Sequence, residues 1–217
     1  MLKFYRVMLL VGGLSLVGIG CADEVNHGAK VGVLNLMDVM QNSPESQAIR
    51  EKLEGEFLYP LNQLKEVFPS AYDYSVKKYE GREYLLDAKI PTLNCLWNDV
   101  LHLTAVHPSD IEKALVETGF KDVLSQKFFK IDPKLLDVEN TTVYLYRYKG
   151  PNRHSNLDNY ELFDKNDLQE YSIIPKSTKE YYKEMFLENK NPLLYHRIPH
   201  ILYKGVLEIN NLEIITL

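Results

Sequence analysis

The chain has 217 residues, 45% of them hydrophobic, enough for one sizeable core or a core with a small appendage. A formal net charge of -5 excludes a general nucleic-acid binder, which needs a basic face to neutralise phosphates, and it disfavours an anionic membrane surface. Fifteen tyrosines are many for this length and fit Tyr-rich strands better than a platform for an aromatic ligand.

Lys3 and Arg6 form a basic start, and the apolar run VMLLVGGLSLVGIG stops at CADE. This pattern predicts an export leader over 1–22, too short and too glycine-rich to span a membrane. Two cleavage sites compete. GIGC resembles a lipobox and would leave a lipidated Cys21 at the mature N-terminus, although Gly18 stands where that motif has Leu. The rival is cleavage after Ala22, with small Gly20 and Ala22 at the specificity positions. The expected address is the periplasm, or the outer membrane as a lipoprotein. Membrane contact is expected only through the leader or a lipid on Cys21. Cys95 is then the single ordinary thiol, so export brings no internal disulfide.

Next, KVGVLNLMDVM reads as a partly buried strand. NSP then opens a helix, with Ser43 as N-cap, Pro44 at the first helical position and Glu45 facing the positive end of the dipole. Ile49, Leu53, Phe57, Leu61 and Leu64 recur at helical spacing as one apolar stripe. Pro60 should kink or end that helix near Tyr59. With KLEGEF and LNQLKE, residues 30–66 resemble the N-terminal strand and helix of the Skp/OmpH family of periplasmic chaperones. The resemblance implies an oligomerising head, a coiled-coil arm and unfolded outer-membrane proteins as clients. Such an arm needs sustained heptads, yet Pro60 and Pro69 come early and no return helix follows. The resemblance therefore speaks for a periplasmic address more than for chaperoning.

Residues 69–89 read as a polar, Tyr-rich linker. Residues 90–217 read as an α+β domain with a mixed sheet and two or three helices, and they resemble uncharacterised bacterial proteins, which implies a boundary and no activity. LWNDVLHLTAV is strand-like. SDIEKALVETGF is a helix with a capping box from Ser109 to Glu112, an apolar face of Ile111 and Leu115 with Val116 beside them, and a stop at Gly119. KFFKID and TTVYLYRYK are strands, the second with Tyr144, Tyr146 and Tyr148 on one face. The stretch from Gly150 to Ser177 is a lid or surface excursion, and Ser177 to Glu180 forms a second capping box. Two or three strands close the chain, with turns at Gly205 and INN.

Four histidines carry the chemistry, in the clusters His102/His107 and His196/His200. No spacing matches a zinc motif, and residues four apart on a strand lie about 13 Å apart, so no metal site is expected and a shared site needs one histidine from each cluster. The order VLHLT, a helix, then HILYKGVLEINNLEII resembles that of ADP-ribosyltransferase-like domains. By that resemblance His102 would contact the nicotinamide ribose, Tyr144 or Tyr146 would stack on the nicotinamide, and His200 or Glu208 would orient the acceptor. The family's usual Arg and second catalytic Tyr have no match. Asp132 with Asp137, and Glu208 with Glu213, read as turns and strand ends rather than a glycosidase dyad. Cys95 in TLNCLWN reads as a buried thiol, and no nucleophile elbow, Walker A or dinucleotide motif occurs.

The sequence thus predicts an exported envelope binding protein acting through its C-terminal domain on a protein or small molecule, with no cofactor and with oligomerisation left open. A Skp-like chaperone and an ADP-ribosyltransferase-like enzyme are the alternatives, with His102, His200, Tyr144 and Tyr146 as candidate catalytic residues.

Overall fold

Short β-rich runs with period-two polarity set the architecture. The structure, a computed structural model, describes residues 7–9, 57–121, 127–150 and 152–216. The strand and helix expected over 31–56, stripe residues Ile49 and Leu53, the lipidation candidate Cys21 and the leader apart from Val7–Leu9 all lie outside the described residues.

In chain order the elements are β1 (Val7–Leu9), β2 (Phe57–Leu58), α1 (Leu61–Val67), α2 (Pro69–Val76), β3 (Lys89–Ile90), β4 (Cys95–Leu96) and β5 (Leu101–Thr104). Then come α3 (Pro108–Thr118), β6 (Lys127–Ile131), β7 (Thr141–Tyr144), β8 (Tyr160–Leu162), α4 (Lys176–Leu187), β9 (His200–Tyr203), β10 (Leu207–Glu208) and β11 (Glu213–Thr216). Seven strands form one sheet in the order β11-β6-β1-β5-β9-β7-β8, while β10 pairs with β2 and β3 with β4. The fold is α+β. Every pairing among the described residues is antiparallel, where the sequence predicts a mixed sheet.

The register assigns the faces. Leu101, Leu103, Val143, Ile201 and Ile131 point to one side and form a core with Leu58, Leu136, Phe163, Leu168 and Leu207. On the other side the cover is divided. Phe128 of β6 packs with Ile111, Ala114 and Leu115 of α3 and with Tyr182 of α4. Tyr144 and Leu202 pack instead with Leu61, Leu64, Tyr79, Leu85, Ile90 and Trp97. A seam between these two covers runs along β9 and β5.

Several local expectations shift for identifiable reasons. Pro60 is the N-cap of α1 instead of the end of a longer helix, and Phe57 sits in β2 opposite Glu208, off any helical stripe. The segment 69–89 is no plain linker: it forms α2 and two 3₁₀ turns, and it buries Ala71, Tyr79 and Leu85. Proline sets both starts, at the first helical position of α3 and at the N-cap of α4. His107 caps α3, its Nδ1 accepting from the Ser109 amide at 3.2 Å, and Pro175 precedes α4, so Ser109 and Ser177 lie inside the first turns. Gly119 ends α3 as expected with φ 110°, where a Cβ would meet the Phe186 ring at 2.5 Å. Val116 is exposed, and Ala114 joins the buried face instead. The expected lid contributes β8, an edge strand of the main sheet, and buries His154 and Asn159.

Val7–Leu9 occupies the middle of the sheet, pairing with Leu103–Thr104 on one side and Lys130–Ile131 on the other. The sequence assigns these residues to the leader, whose removal would open both neighbouring strand edges. A chain beginning at Asp23 is expected to keep its three buried clusters but to self-associate more than the full chain, because unpaired edges recruit strands. Light scattering of the two forms at equal concentration checks this, and equal masses would count against it.

Candidate functional site

The sheet register builds a row of rings on the divided face. Tyr144 stands opposite Tyr160 on one side and His200 on the other, and His102 lies one strand further, paired with Leu202. Trp97, the one tryptophan of the chain, reaches into this row from the segment before β5. Its ring centroid lies 4.8 Å from His102, 4.6 Å from His154 and 5.2 Å from Tyr144. His102 and His200 approach to 5.8 Å at right angles, and Tyr146 closes the group at 4.5 Å from Tyr144 and 5.3 Å from His200. The four sequence candidates His102, His200, Tyr144 and Tyr146 therefore share one cluster. His107 does not join it, being a helix cap, and neither does Glu208, which is exposed in β10.

Two neighbouring segments hold the cluster in place. Tyr146 lies beyond the end of β7 with φ 56°, a left-handed conformation uncommon for a bulky residue, so Tyr144 and Tyr146 meet through a kink and not through strand alternation. Buried Asn159 fixes that kink: its side chain accepts from the Tyr148 amide at 2.6 Å and donates to the Tyr148 and Arg153 carbonyls. On the seam's other side α4 grips the turn before β9. Thr178 donates to the His196 carbonyl at 3.0 Å, Tyr182 donates to the Leu194 carbonyl, and the Leu193 amide donates to Tyr181. Arg197, also left-handed at φ 64°, brings its guanidinium to the Ser177 carbonyl at 3.2 Å. His196 thereby stands 4.3 Å from the Tyr181 ring and 6.5 Å from that of Tyr146.

The floor is buried and imperfectly satisfied. His102 donates from Nε2 to the Trp97 carbonyl at 2.9 Å, and Tyr160 donates to the His154 carbonyl. Tyr146 Oη and His200 Nε2 are 3.1 Å apart. Among the described residues, three buried polar atoms of this cluster have no partner: Tyr144 Oη, His154 Nδ1 and His200 Nδ1. Burial first, then neighbouring cations or imidazoles, pulls His102 well below its usual range. Burial likewise brings His154, His196 and His200 down to about 4. All four imidazoles are thus neutral at pH 7, fit to donate and accept hydrogen bonds rather than to carry charge. Burial raises the Tyr144 phenol to about 12 and pushes that of Tyr146 further up.

Other candidates resolve into structure. Asp132 and Asp137 cap 3₁₀ turns by accepting from the Lys134 and Glu139 amides, as expected for turn residues. Cys95 is half-buried in β4 with its thiol raised to about 11 by burial, which suppresses the thiolate. Among the described residues no group of three or more His, Cys, Asp or Glu is arranged to hold a metal ion. A cavity of about 310 Å³ lies elsewhere, between α3, Ile173–Ile174 and Lys179, and its lysines face Asp110 and Glu117. Trp97, His154, Tyr160 and Tyr181, which no sequence pattern picks out, complete the site together with His196 of the second histidine cluster. Period-two polarity does not reveal a tryptophan or histidine that arrives from a connecting segment. No protein-family model, curated protein or solved structure matches the chain.

The depressed imidazoles give a pH dependence of definite sign. In the unfolded chain these histidines take up protons near 6.5, but in the folded one only near 4. The unfolded state therefore binds more protons in that window, and stability is complete above it and falls as pH drops through it. Urea midpoints should decline from neutral pH to about pH 4.5, and a His154→Leu, His196→Leu double variant should flatten the decline.

Proposed function

We propose that the C-terminal domain is a ligand-binding module of the cell envelope, with its site at the cluster of His102, His200, Tyr144, Tyr146 and Trp97. The observation that carries this reading is the trio of unpartnered buried atoms, Tyr144 Oη, His154 Nδ1 and His200 Nδ1. Each such group costs about 1–3 kcal/mol when left unpaired, and folded proteins keep few of them. Three in one ring-lined cluster, beside two strained backbone positions, fit a site pre-organised for polar groups of a small molecule. The basic start and apolar run at the N-terminus support an envelope address.

The reading separates stability from binding. Tyr144→Phe removes an unsatisfied hydroxyl and keeps the ring, so it should stabilise the unliganded domain by about 1 kcal/mol while weakening ligand capture. Chemical denaturation checks the first part, and thermal-shift screening of a metabolite library checks the second. A destabilised Tyr144→Phe protein would mean that the hydroxyl is satisfied, and the reading would fall.

A second reading, an ADP-ribosyltransferase-like enzyme, is favoured by one specific observation. His102, from the HLT run of β5, meets His200 and both candidate stacking tyrosines within one cluster. An enzyme of this kind would release nicotinamide from its dinucleotide in proportion to protein, and His102→Ala would abolish release while leaving the fold intact. Absence of release from the folded wild-type protein leaves the binding reading alone.

A further inference from the structure

Lys78, Arg82, Arg153 and Arg197, each half-buried, flank the rings of the cluster, and the side they share is taken as its mouth. Arg153 lies between His154 and Tyr84, with Nε 3.3 Å from His154 Nε2 and its terminal nitrogen 3.5 Å from Tyr84 Oη. Arg82 donates to the Lys78 carbonyl at 2.6 Å, and the Lys78 ammonium lies over the Tyr79 ring at 5.1 Å. Arg197 belongs to the turn that carries His196. Burial is the first cause of the shifted titration of the rings they face. Beyond it, Arg153 acts on Tyr144, Tyr146, His154 and His196, Arg82 on Tyr146 and Tyr181, and Lys78 on His102. Glu184 is the carboxylate that reaches in, at Tyr181, from α4.

The ion pairs of the domain lie elsewhere. Lys113, Lys130, Arg147, Lys176, Lys179 and Lys190 each have a carboxylate within reach. Among the described residues none of the four cations at the mouth has one. This is an unusual distribution for a chain with net charge -5, since half-buried cations ordinarily gather carboxylates to offset lost hydration.

We propose that this mouth is an anion site that takes the phosphate monoester group of a small molecule, the rest of which lies against the rim rings of Tyr84, Tyr146 and Tyr181. Arginine forks match the paired oxygens of a phosphoryl group, and the number of cations exceeds what one carboxylate would need. The unpartnered atoms of the floor supply polar contacts to the ester portion, so the proposal rests on the binding site described above. A nucleic-acid track is a poor fit, because the cations ring one cluster instead of following a groove.

Trp97 supplies the readout, since the single tryptophan of the chain lies in the floor of the site. Full-length protein is titrated with phenyl phosphate, phenylacetate and phenol while its fluorescence is followed. Saturable change with phenyl phosphate is expected, at least tenfold tighter than with either other probe. Arg153→Gln and, independently, Arg82→Gln should each weaken it at least tenfold, with Arg153→Lys recovering part of the loss. Phenol binding as tightly as phenyl phosphate overturns the anion site and leaves the ligand site standing. No saturable response to any of the three overturns both. Unchanged affinity in both glutamine variants, with unliganded fluorescence preserved, also overturns the assignment of the cations.

Discussion

The antiparallel register of β8, β7 and β9 is the constraint from which the site follows. It sets Tyr160, Tyr144 and His200 directly opposite one another, and the β9–β5 register then brings His102 beside them. A slip of one residue would turn this row toward the core of Leu103, Val143 and Ile201 and put those side chains against the rings. The apolar face therefore fixes the polar one. Val143 and Ile201 are fully buried, and their burial makes the alternative register expensive.

What the sequence discloses follows from where each signal lies. The elements of the C-terminal region are readable because LHLT, TTVY and HILY are short runs rich in β-branched, aromatic and aliphatic residues and Gly119 is an effective helix stop. Requiring one histidine from each cluster leaves four pairs open, and the structure selects His102 with His200 because both face the same side of adjacent strands. The two helix starts are displaced because Pro108 and Pro175 outweigh the nearby serines. Pro108 needs no amide partner and is already set for the first turn, so the cap moves out to His107, while Pro175 is itself the extended cap residue of α4.

The remaining parts are hidden because they depend on chain paths that no local pattern encodes. Tyr146 reads as the next same-face residue of a strand, yet the strand stops at Tyr144 and a left-handed residue returns the ring to its neighbour. Asn159 makes that possible from a segment that reads as an exposed excursion. Residues 57–89 read as the end of a long helix and a linker. They supply Leu61, Leu64, Tyr79 and Leu85 to the wall behind Trp97, so this stretch is part of the support for the site.

The neutral imidazoles and the unpaired cations belong to one electrostatic arrangement. Burial alone would leave His154 and His196 short of protons at neutral pH, and Arg153 and Arg197 reinforce that state by opposing further positive charge. The cluster consequently holds cations at its mouth and uncharged hydrogen-bonding rings at its floor without setting imidazolium against guanidinium. Lys78 shows how close this arrangement is to its limit: burial, aided by Arg82, lowers its ammonium to about 8. An anion at the mouth would relieve all of these strains together, since it restores to the cations the counter-charge that folding removed. The opposite face of the sheet carries none of this tension. Its leucines, valines and isoleucines supply the stability, and that surplus is what allows the other face to keep polar atoms unpaired, tyrosine and arginine in left-handed backbone, and positive charge without a partner.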